Sequence, residues 1–447
     1  MTAPSANPPY PLLRLAQVRA EIASLPLRPV PITWTDSAGS AGLWSAREVR
    51  SPRDVPPRPA SAMDGYALGI GGGAFLREFR LVAPGRTGRL RPGEAMTIVT
   101  GAPLPAGAAA VARAESVHRE GNIVRLRTPA RPGVDVHARG SSLRRGTRIL
   151  ARGSEILPYS VAGLLAAGVA RVPVRRPRAI VVSTGSELTR PDRGKAGRFD
   201  ALGPALVALM RRWCDVEYAG VVPDDRATIR SAIETAAGAS DLVVTLGGSS
   251  VGPRDQTKAA VAEAGRLVVG GTRINVLKRA GFGMVHQTPV LVLPGQVESA
   301  FVSFHEHGLA ILERLVGAPL RSFVRRPLGA AITVAHRMDS TYLFREEDGR
   351  AVPVGWGVAR YESLLHATGF AYLRHGRTYP AGHLVTMQRL EHSVARPDEA
   401  SGRIGPDPGR RTRAGGSTSR RSGRAAVRAA YRASSPERPR DTPAESF

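Results

Sequence analysis

Three loops rich in small residues each follow a run of apolar residues in the middle of the chain. Their sequences are STGSE (183–187), GGSSVG (247–252) and LPGQ (293–296). Ligands of an open α/β sheet bind at the carboxyl ends of its strands, and glycine lets backbone N–H groups approach an anion closely. One such loop would be an ordinary strand-to-helix turn, whereas three at one edge of a sheet predict a phosphate-binding site.

Three carboxylates accompany these loops, namely Glu187, Asp200 and Asp255. A Mg²⁺ ion that bridges ligand phosphates needs hard oxygen ligands, usually one or two carboxylates. Phosphoryl chemistry then depends on positioning and on neutralisation of charge. Two simpler interpretations stay open, because Asp255 also fits the N-cap of a following helix and Asp200 alone is an ordinary loop acid.

Two further segments lie nearer the N-terminus. The first is PASAMDGYA (59–67), in which an Asp-Gly pair between apolar residues is a strong hairpin signal. The second, TGAPLPAG (100–107), is by itself a proline-rich loop. Neither pattern assigns a chemical role on its own.

The segment from Pro177 to about Gly317 must position the three loops. It alternates strand-like and helix-like runs, which is typical of a parallel sheet with helices on both faces. Its last helix places apolar residues at helical spacing from Val297 to Ile311. The four predicted strands are RAIVVSTG (178–185), VEYAGVVPD (216–224), DLVVTLGG (241–248) and PVLVLPG (289–295).

The rest of the chain divides around this segment. Short strands with Gly and Pro turns predict two smaller β units, at 46–150 and 318–392. Residues 1–45 and 151–176 each hold a helix-like segment. From about 395 the chain is Arg, Gly, Ser and Pro, which predicts disorder; this tail is either a nonspecific anion-binding arm or unselected sequence.

Composition limits the class of protein. A chain of 447 residues indicates two to four domains. One cysteine, Cys214, excludes an internal disulfide framework and a cysteine-based zinc site. No apolar stretch is long enough for a membrane span, and the N-terminus does not have the pattern of a signal peptide. The expected location is therefore the reducing cytoplasm, without membrane association.

The formal net charge of +26 raises nucleic acid as a partner. Only three lysines occur, however, and the arginines that make up the excess are spread along the chain. An anionic small-molecule ligand would use part of this charge. The distribution does not favour specific nucleic-acid binding.

These segments, in this order, resemble the molybdopterin molybdenumtransferase family, the bacterial MoeA type that is related to the gephyrin E domain. The resemblance runs from about residue 10 to 392, and the combination of MDGYA with TGAPLP is highly specific. The motifs that carry it are SAMDGYA (61–67), IVTGAPLPAGA (98–108), STGSEL (183–188), GGSSVGPRD (247–255) and LPGQVESA (293–300).

The resemblance implies a multi-domain α/β plus β fold. Its expected parts are a linker-like helical domain (1–45 with 151–176), an inserted β domain (46–150), an α/β molybdopterin-binding domain with a parallel sheet (177–317), a C-terminal β barrel (318–392) and the disordered basic tail (395–447). It also implies a homodimer. The active cleft would combine the α/β domain of one subunit with the inserted domain of its partner.

The implied reaction takes adenylylated molybdopterin and molybdate, inserts molybdenum into the dithiolene and releases AMP, with Mg²⁺ or another divalent cation assisting. By resemblance Glu187, Asp200 and Asp255 would hold the metal and act on the adenylyl phosphate, while Asp64 would act from the partner subunit. The residues expected to bind the pterin and the oxyanion are Thr100, Ser183, Thr184, Gly185, Gly247, Gly248, Ser249, Ser250, Gly252, Lys278, Arg279, Pro294 and Gly295.

Several family positions are altered in this chain. The aspartate of GADAVV is Ala109, and the GED triplet reads Gly-Ser-Ser at 140–142. KPGKP reads KRAGF at 278–282, and LPGNP reads LPGQV at 293–297. The last two changes fall where an oxyanion such as molybdate is expected. Arg279 also binds oxyanions well, with a geometry different from that of lysine.

Two principal hypotheses remain. The retained acidic residues favour an active molybdenumtransferase, or one shifted to tungstate. The altered segments at 278–282 and 296–297 favour a non-catalytic paralogue that holds molybdopterin or the finished cofactor for a client oxidoreductase. A basic scaffold or regulatory protein is a third class, which depends on charge alone.

Overall fold

The structure is a computed structural model. The predicted disordered tail (395–447) lies outside the residues that it describes, and so do Gly252 and Asp255 of the predicted site. The described ranges are 10–71, 76–83, 89–189, 198–250, 256–355 and 361–390.

The first helix, α1 (Leu15–Ser24), buries Val18 and Ile22. These residues are four positions apart, so they lie on the face that packs into the core. The sequence predicts a helix start at about Leu12. The observed start is three residues later because Leu13 instead pairs with a distant strand-like segment, where its backbone N–H donates to the Gly271 carbonyl.

Short strands fill the region from residue 33 to 150; those within 46–150 agree with the prediction, whereas the strand at 33–36 was not predicted. They are β1 (Thr33–Asp36), β2 (Val49–Arg50), β3 (Ala60–Ser61), β4 (Gly65–Gly69), β5 (Glu78–Leu81), β6 (Glu94–Ile98), β7 (Ala108–Arg113), β8 (Val117–Glu120), β9 (Ile123–Leu126), β10 (Val136–His137) and β11 (Arg148–Leu150). Six of them form one sheet in the order β7–β4–β6–β5–β9–β8. Consecutive residues of β4 point to opposite faces, so Ala67 and Leu68 belong to separate apolar clusters.

The chain returns from this region through α2 (Pro158–Ala166) and β12 (Arg171–Val174). Proline opens the helix, where its missing N–H costs no hydrogen bond. Strand β12 pairs antiparallel with β1. Segments on either side of the inserted strands therefore lie together, while the predicted domain boundaries themselves remain predictions.

A six-stranded sheet forms the centre of the region predicted to be α/β. Its strands are β13 (Arg178–Thr184), β16 (Asp215–Val222), β17 (Leu242–Leu246), β18 (Arg266–Val269), β19 (Gly281–Val285) and β20 (Thr288–Leu293), and the short pair β14 (Leu188–Thr189) and β15 (Arg198–Phe199) lies beside it in the chain. The sheet order is β16–β13–β17–β20–β19–β18. The four predicted strands are confirmed, and they pair in parallel.

The sequence did not predict β18 and β19, which join this sheet antiparallel. Strand β19 is connected to β20 by a turn at His286 and Gln287, with a positive φ of 53° at His286. So short a connection can join only antiparallel neighbours. Two glycines in the five residues of β19 weaken its strand signal.

Helices cover both faces of the sheet. They are α3 (Leu202–Met210), α4 (Arg226–Ala239), α5 (Thr257–Ala264), α6 (Val297–Ser303) and α7 (Leu309–Val316). Alternate residues of β13 divide between two cores, with Val181 packed on one face and Val182 on the other. Cys214 lies fully buried just after α3, and burial raises the pKa of its thiol well above the ordinary value.

The final helix of this region is not continuous, although the sequence predicts one helix there. A π-helical turn (Phe304–Gly308) separates α6 from α7. Such turns interrupt α-helices locally and are frequent at functional or strained positions. Here the turn buries a polar run, which the apolar spacing of the sequence does not reveal.

A second β unit follows, with a single short helix among its described residues. Its elements are β21 (Phe323–Pro327), β22 (Ile332–Thr333), β23 (Ser340–Glu347), β24 (Arg350–Val354), α8 (Tyr361–His366), β25 (Gly369–Leu373), β26 (Thr378–Tyr379) and β27 (Leu384–Arg389). Five strands form a sheet in the order β21–β27–β25–β23–β24. A bridge between Leu328 and Ala351 joins the two ends of this order, so the sheet curls on itself.

A buried carboxylate in the π-helical turn connects three parts of the fold. Glu306 accepts hydrogen bonds from Arg19 Nε at 2.7 Å and from the Tyr372 hydroxyl at 2.9 Å. Arg321 lies 4.0 Å away. Burial opposes ionisation of Glu306, but the Arg19 guanidinium outweighs it and holds the pKa of this carboxyl below its ordinary value. The cluster thus ties α1 and β25 to the helix beneath the central sheet.

Replacing Arg19 with alanine should destabilise the protein, because the buried Glu306 carboxylate would lose its closest cation. We expect the free energy of unfolding to fall by about 3 kcal/mol, measured by urea denaturation with tryptophan fluorescence. Arg28→Ala is the matched control, since Arg28 is an exposed arginine of the same N-terminal segment. Equal losses in the two variants would contradict the structural role of the cluster.

Candidate functional site

The three small-residue loops meet at one edge of the central sheet. Leu246 at the end of β17 pairs with Ser183 of β13 on one side and with Leu293 of β20 on the other. The three strands therefore end at the same level, and their loops open into one cleft of about 1000 Å³. Thirteen residues of the predicted site line it, namely Ser183, Thr184, Gly185, Glu187, Asp200, Gly247, Gly248, Ser249, Ser250, Lys278, Arg279, Pro294 and Gly295.

The glycine loop after β17 is shaped by two backbone conformations that favour glycine. Gly247 and Gly248 have φ values of 94° and 56°. A Cβ atom at Gly247 would lie 2.5 Å from the Thr184 carbonyl oxygen, and one at Gly248 would lie 2.3 Å from Thr257 Oγ1. Side chains at these positions would push the loop away from its neighbours. The loop thus presents its backbone closely to the cleft, as an anion-binding loop requires.

Asp200 is nearly buried at the edge of the cleft, with 7% of its surface exposed. Its Oδ1 accepts a hydrogen bond from the Gly203 backbone N–H at 3.0 Å, and its Oδ2 accepts one from the Tyr218 hydroxyl. These bonds fix the carboxylate between the start of α3 and β16. Asp200 is therefore a positioned acid and not a mobile loop residue.

Two more carboxylates line the cleft in more exposed positions. Glu187 is exposed in the loop after β13. Asp224 follows β16 and accepts a hydrogen bond from the Ser186 backbone N–H at 3.0 Å. The sequence analysis did not select Asp224. Its signal was available, because it ends the second predicted strand (216–224), just as each chosen loop lies at the end of another predicted strand.

Basic side chains occupy the same cleft. Lys278 and Arg279 are half-buried, and within the described ranges neither forms an ion pair. The buried neighbours Leu277 and Ala280 anchor this turn on either side. Val276 precedes it with a positive φ of 78°, a conformation that costs a β-branched residue energy and recurs at binding sites. The turn thus has a fixed conformation, in which the Lys278 and Arg279 side chains can bind an anion in the cleft.

Asp64 and Thr100 do not line this cleft, although the structure brings them to each other. The Asp64 Oδ1 atom accepts hydrogen bonds from the Thr100 backbone N–H at 2.7 Å and from its hydroxyl at 2.9 Å. These bonds hold the pKa of the Asp64 carboxyl below its ordinary value. The two residues form an exposed, ionised pair in the inserted β region.

The donor set of the cleft suits a hard divalent cation. Glu187, Asp200 and Asp224 supply carboxylate oxygens, which are the ligands that Mg²⁺ prefers. Within the described ranges, however, no three His, Cys, Asp or Glu side chains converge into a metal cage. Mg²⁺ bound through one or two carboxylates together with ligand phosphates needs no such cage.

A second acidic residue of the cleft, besides Asp224, is absent from the site predicted from the sequence. Glu298 in the first turn of α6 lines the cavity with 5% of its surface exposed. Burial raises the pKa of its carboxyl to about 7. The sequence around Glu298 has mixed polarity and does not indicate that this side chain is buried. Its burial results from the packing of α6 against the sheet.

None of the helices within the described residues has both the length and the apolar character that crossing a membrane requires.

Two family models match the chain. One is described as the MoeA N-terminal region (domain I and II) and covers residues 13–168. The other is described as a probable molybdopterin binding domain and covers residues 180–314. A solved structure of a molybdopterin biosynthesis MoeA protein from Pyrococcus horikoshii has a TM-score of 0.69 to this chain at 26% identity, covering 85% of this chain and 99% of that one. The fold is therefore of the MoeA class, and the predicted fold class is confirmed.

Two relatives extend the likeness to sequence. The molybdopterin molybdenumtransferase of Haemophilus influenzae is 28% identical over 406 residues, which are 85% of this chain and 99% of that protein. Molybdopterin molybdenumtransferase 2 of Mycobacterium tuberculosis is 32% identical over 65% of this chain and 76% of that protein. The chain belongs to the molybdopterin molybdenumtransferase family. The resemblance seen in its motifs is thereby confirmed, and so, at the level of the family, is its place in molybdenum cofactor biosynthesis.

The Glu298 carboxyl predicts a pH-dependent stability difference. Its folded pKa of about 7 exceeds the ordinary value of 4.5, so the wild-type protein loses stability as the pH rises from about 4.5 to 7. Glu298→Gln cannot titrate and escapes this loss. We expect the two proteins to be similarly stable at acidic pH, with the variant favoured by about 2 kcal/mol at pH 8 after allowance for solvent in the cleft.

Urea unfolding of both proteins across this pH range measures the difference. A stability difference that does not change with pH would show that Glu298 titrates alike in the folded and unfolded chains.

Proposed function

We propose that this protein transfers molybdenum from molybdate to adenylylated molybdopterin and releases AMP. The observation that carries the proposal is the single cleft at the aligned ends of three strands. It combines a glycine loop, carboxylates and basic side chains, all lined up by one sheet register. An adenylylated, phosphorylated substrate and an inorganic oxyanion need these three kinds of partner together.

In this proposal the glycine loop binds the pterin phosphate through backbone N–H groups from Gly247 to Ser250. Glu187 and Asp200 hold Mg²⁺ from the protein side, and Asp255 is the third proposed ligand. The cation supplies charge neutralisation at the adenylyl phosphate. Asp200 is suited to a fixed position because the Gly203 N–H and the Tyr218 hydroxyl already orient it.

Lys278 and Arg279 are the proposed oxyanion-binding residues. Both line the same cleft as Pro294 and Gly295. Lysine acts as a compact point charge, whereas the arginine guanidinium offers a planar fork of N–H donors. Molybdate would accept hydrogen bonds from both kinds of donor. The family pattern KPGKP carries two lysines in this segment, whereas this chain carries one lysine and one arginine.

We further propose a homodimer in which Asp64 and Thr100 act in the partner's cleft. The pair is exposed, ionised and pre-oriented, yet it does not line the cleft of its own chain. A carboxylate fixed in this way on the surface suits action across a subunit interface. The cytoplasmic location stays a prediction, for which the single buried thiol at Cys214 is the support.

Glu187→Gln should lower the rate of AMP release by about 100-fold or more, because the cleft loses an exposed anionic ligand for the cation. The measurement is AMP release from purified adenylylated molybdopterin with Mg²⁺ and molybdate. Glu234→Gln is the matched control, an exposed glutamate on α4 away from the cleft. Unchanged turnover in Glu187→Gln would refute the role of this residue.

The wild-type protein decides between transfer and mere binding in the same assay. Release of AMP with insertion of molybdenum supports the transferase. Tight pterin binding without any release of AMP would overturn the proposal in favour of a cofactor-holding protein.

A mixing experiment tests the shared cleft. Asp64→Asn and Glu187→Gln should each be inactive alone. In a two-fold symmetric dimer, half of the randomly mixed dimers carry one variant of each kind and thus one intact cleft, so activity should return to about a quarter of the wild-type level. No recovery between folded, dimeric variants would place Asp64 and Glu187 in separate functions.

A further inference from the structure

Glu298 has an unusual setting among the acids of the cleft. It lies two residues after Gln296 of the third loop, and its side chain faces the cavity while 5% of the residue surface is exposed. Within the described part of the chain its side chain forms no hydrogen bond or ion pair. Asp200, by contrast, is equally enclosed but accepts two hydrogen bonds. An enclosed carboxyl group without a partner in the protein is costly, and this one lines the cleft, so it points towards a ligand there.

The surroundings of Glu298 explain why it is not held as a carboxylate. Helix α6 packs against β20 and α3, which contribute no titratable side chain. The acidic and basic groups around it on α8 and the π-helical turn are Tyr361, Glu362, His366, His305, Glu306 and His307. Those lining the cleft are Glu187, Arg198, Asp200, Asp224, Lys278 and Arg279. Glu306 is committed to Arg19, and burial lowers the pKa of His307 to about 4.

A carboxylic acid and a carboxylate have opposite hydrogen-bonding roles. The neutral acid donates through its O–H group, whereas the carboxylate only accepts. Molybdate near neutral pH carries no proton, so each of its oxygens needs a donor. Hydrogen phosphate carries a proton of its own and can donate to a carboxylate. The ionisation state of one side chain therefore decides which of two tetrahedral anions it favours.

We propose that Glu298 is an oxyanion-selecting residue, which binds molybdate as a neutral acid by donating a hydrogen bond and, once ionised, favours anions that carry a proton. This inference rests on the proposed use of the cleft for molybdate. It adds a pH-dependent selectivity that the cations Lys278 and Arg279 cannot supply, because they donate to every oxyanion alike.

Isothermal titration of the full chain with sodium molybdate tests this selectivity without any pterin. With a pKa of about 7, the neutral fraction of Glu298 falls about thirty-fold between pH 6 and pH 8.5, and the wild-type affinity should fall by the same factor. Glu298→Gln keeps an N–H donor but cannot titrate, so its affinity should change little over this range. Glu362→Gln, on the neighbouring helix α8, should behave as the wild type does.

Proton uptake provides a second and independent measurement. Wild-type protein that binds molybdate at pH 8 should take up about one proton per anion, detected as a dependence of the binding heat on the ionisation heat of the buffer. Glu298→Gln should take up none. This measurement also decides the matter if the variant fails to fold, since the wild-type protein alone must show the uptake.

Titration with inorganic phosphate tests the selectivity between the two anions. The ratio of phosphate to molybdate affinity should rise with pH more steeply in the wild type than in Glu298→Gln. Equal slopes, absence of proton uptake, or no molybdate binding at either pH would each overturn the inference. A protein that shows the pH dependence but releases no AMP would retain the selectivity and lose the proposed transferase reaction, so the two failures are distinguishable.

Discussion

The register of three parallel strands is the constraint on which the candidate site depends. Leu246 of β17 pairs on one side with Ser183 and on the other with Leu293. The three strands therefore end at the same edge of the sheet, and the loops that follow them lie next to one another. A shift of one residue in either pairing would also reverse which side chains face each core. The apolar residues that fill both faces of β13 thereby fix the geometry of a polar cleft that they do not touch.

The sequence predicts this part of the fold well because local pattern and tertiary position agree there. Strands such as RAIVVST are buried on both faces and have a strong signal, and loops at their carboxyl ends share an edge by topology. Strand β19 is different, because its two glycines weaken the strand signal in the sequence. Its position in the sheet follows from the short turn that connects it to β20. The break between α6 and α7 is hidden for a similar reason, because Glu306 is stabilised by partners from α1 and β25 that are far away in sequence.

The candidate site likewise contains residues that the sequence predicts and residues that it does not. Residues that belong to a recognisable loop, such as Glu187 and Lys278, could be predicted, and the cleft contains them. Glu298 could not, because its importance comes from burial without a partner, and burial is a property of packing. Asp64 and Thr100 were predicted as residues, and their mutual hydrogen bonds are a finding of the structure. In the proposed homodimer they act in the partner's cleft, and such a contact between subunits is not encoded in any local pattern of the sequence.

The buried thiol of Cys214 gives this molecule a built-in kinetic reporter. It is the chain's one cysteine, it lies fully enclosed in the core beside β13 and α3, and thiol reagents attack the thiolate that this burial suppresses. Its alkylation therefore requires the α/β core to open, and the rate under native conditions measures the population of opened molecules. Mass spectrometry of the untouched natural sequence can thus follow how firmly the core closes around an occupied cleft, without an introduced label.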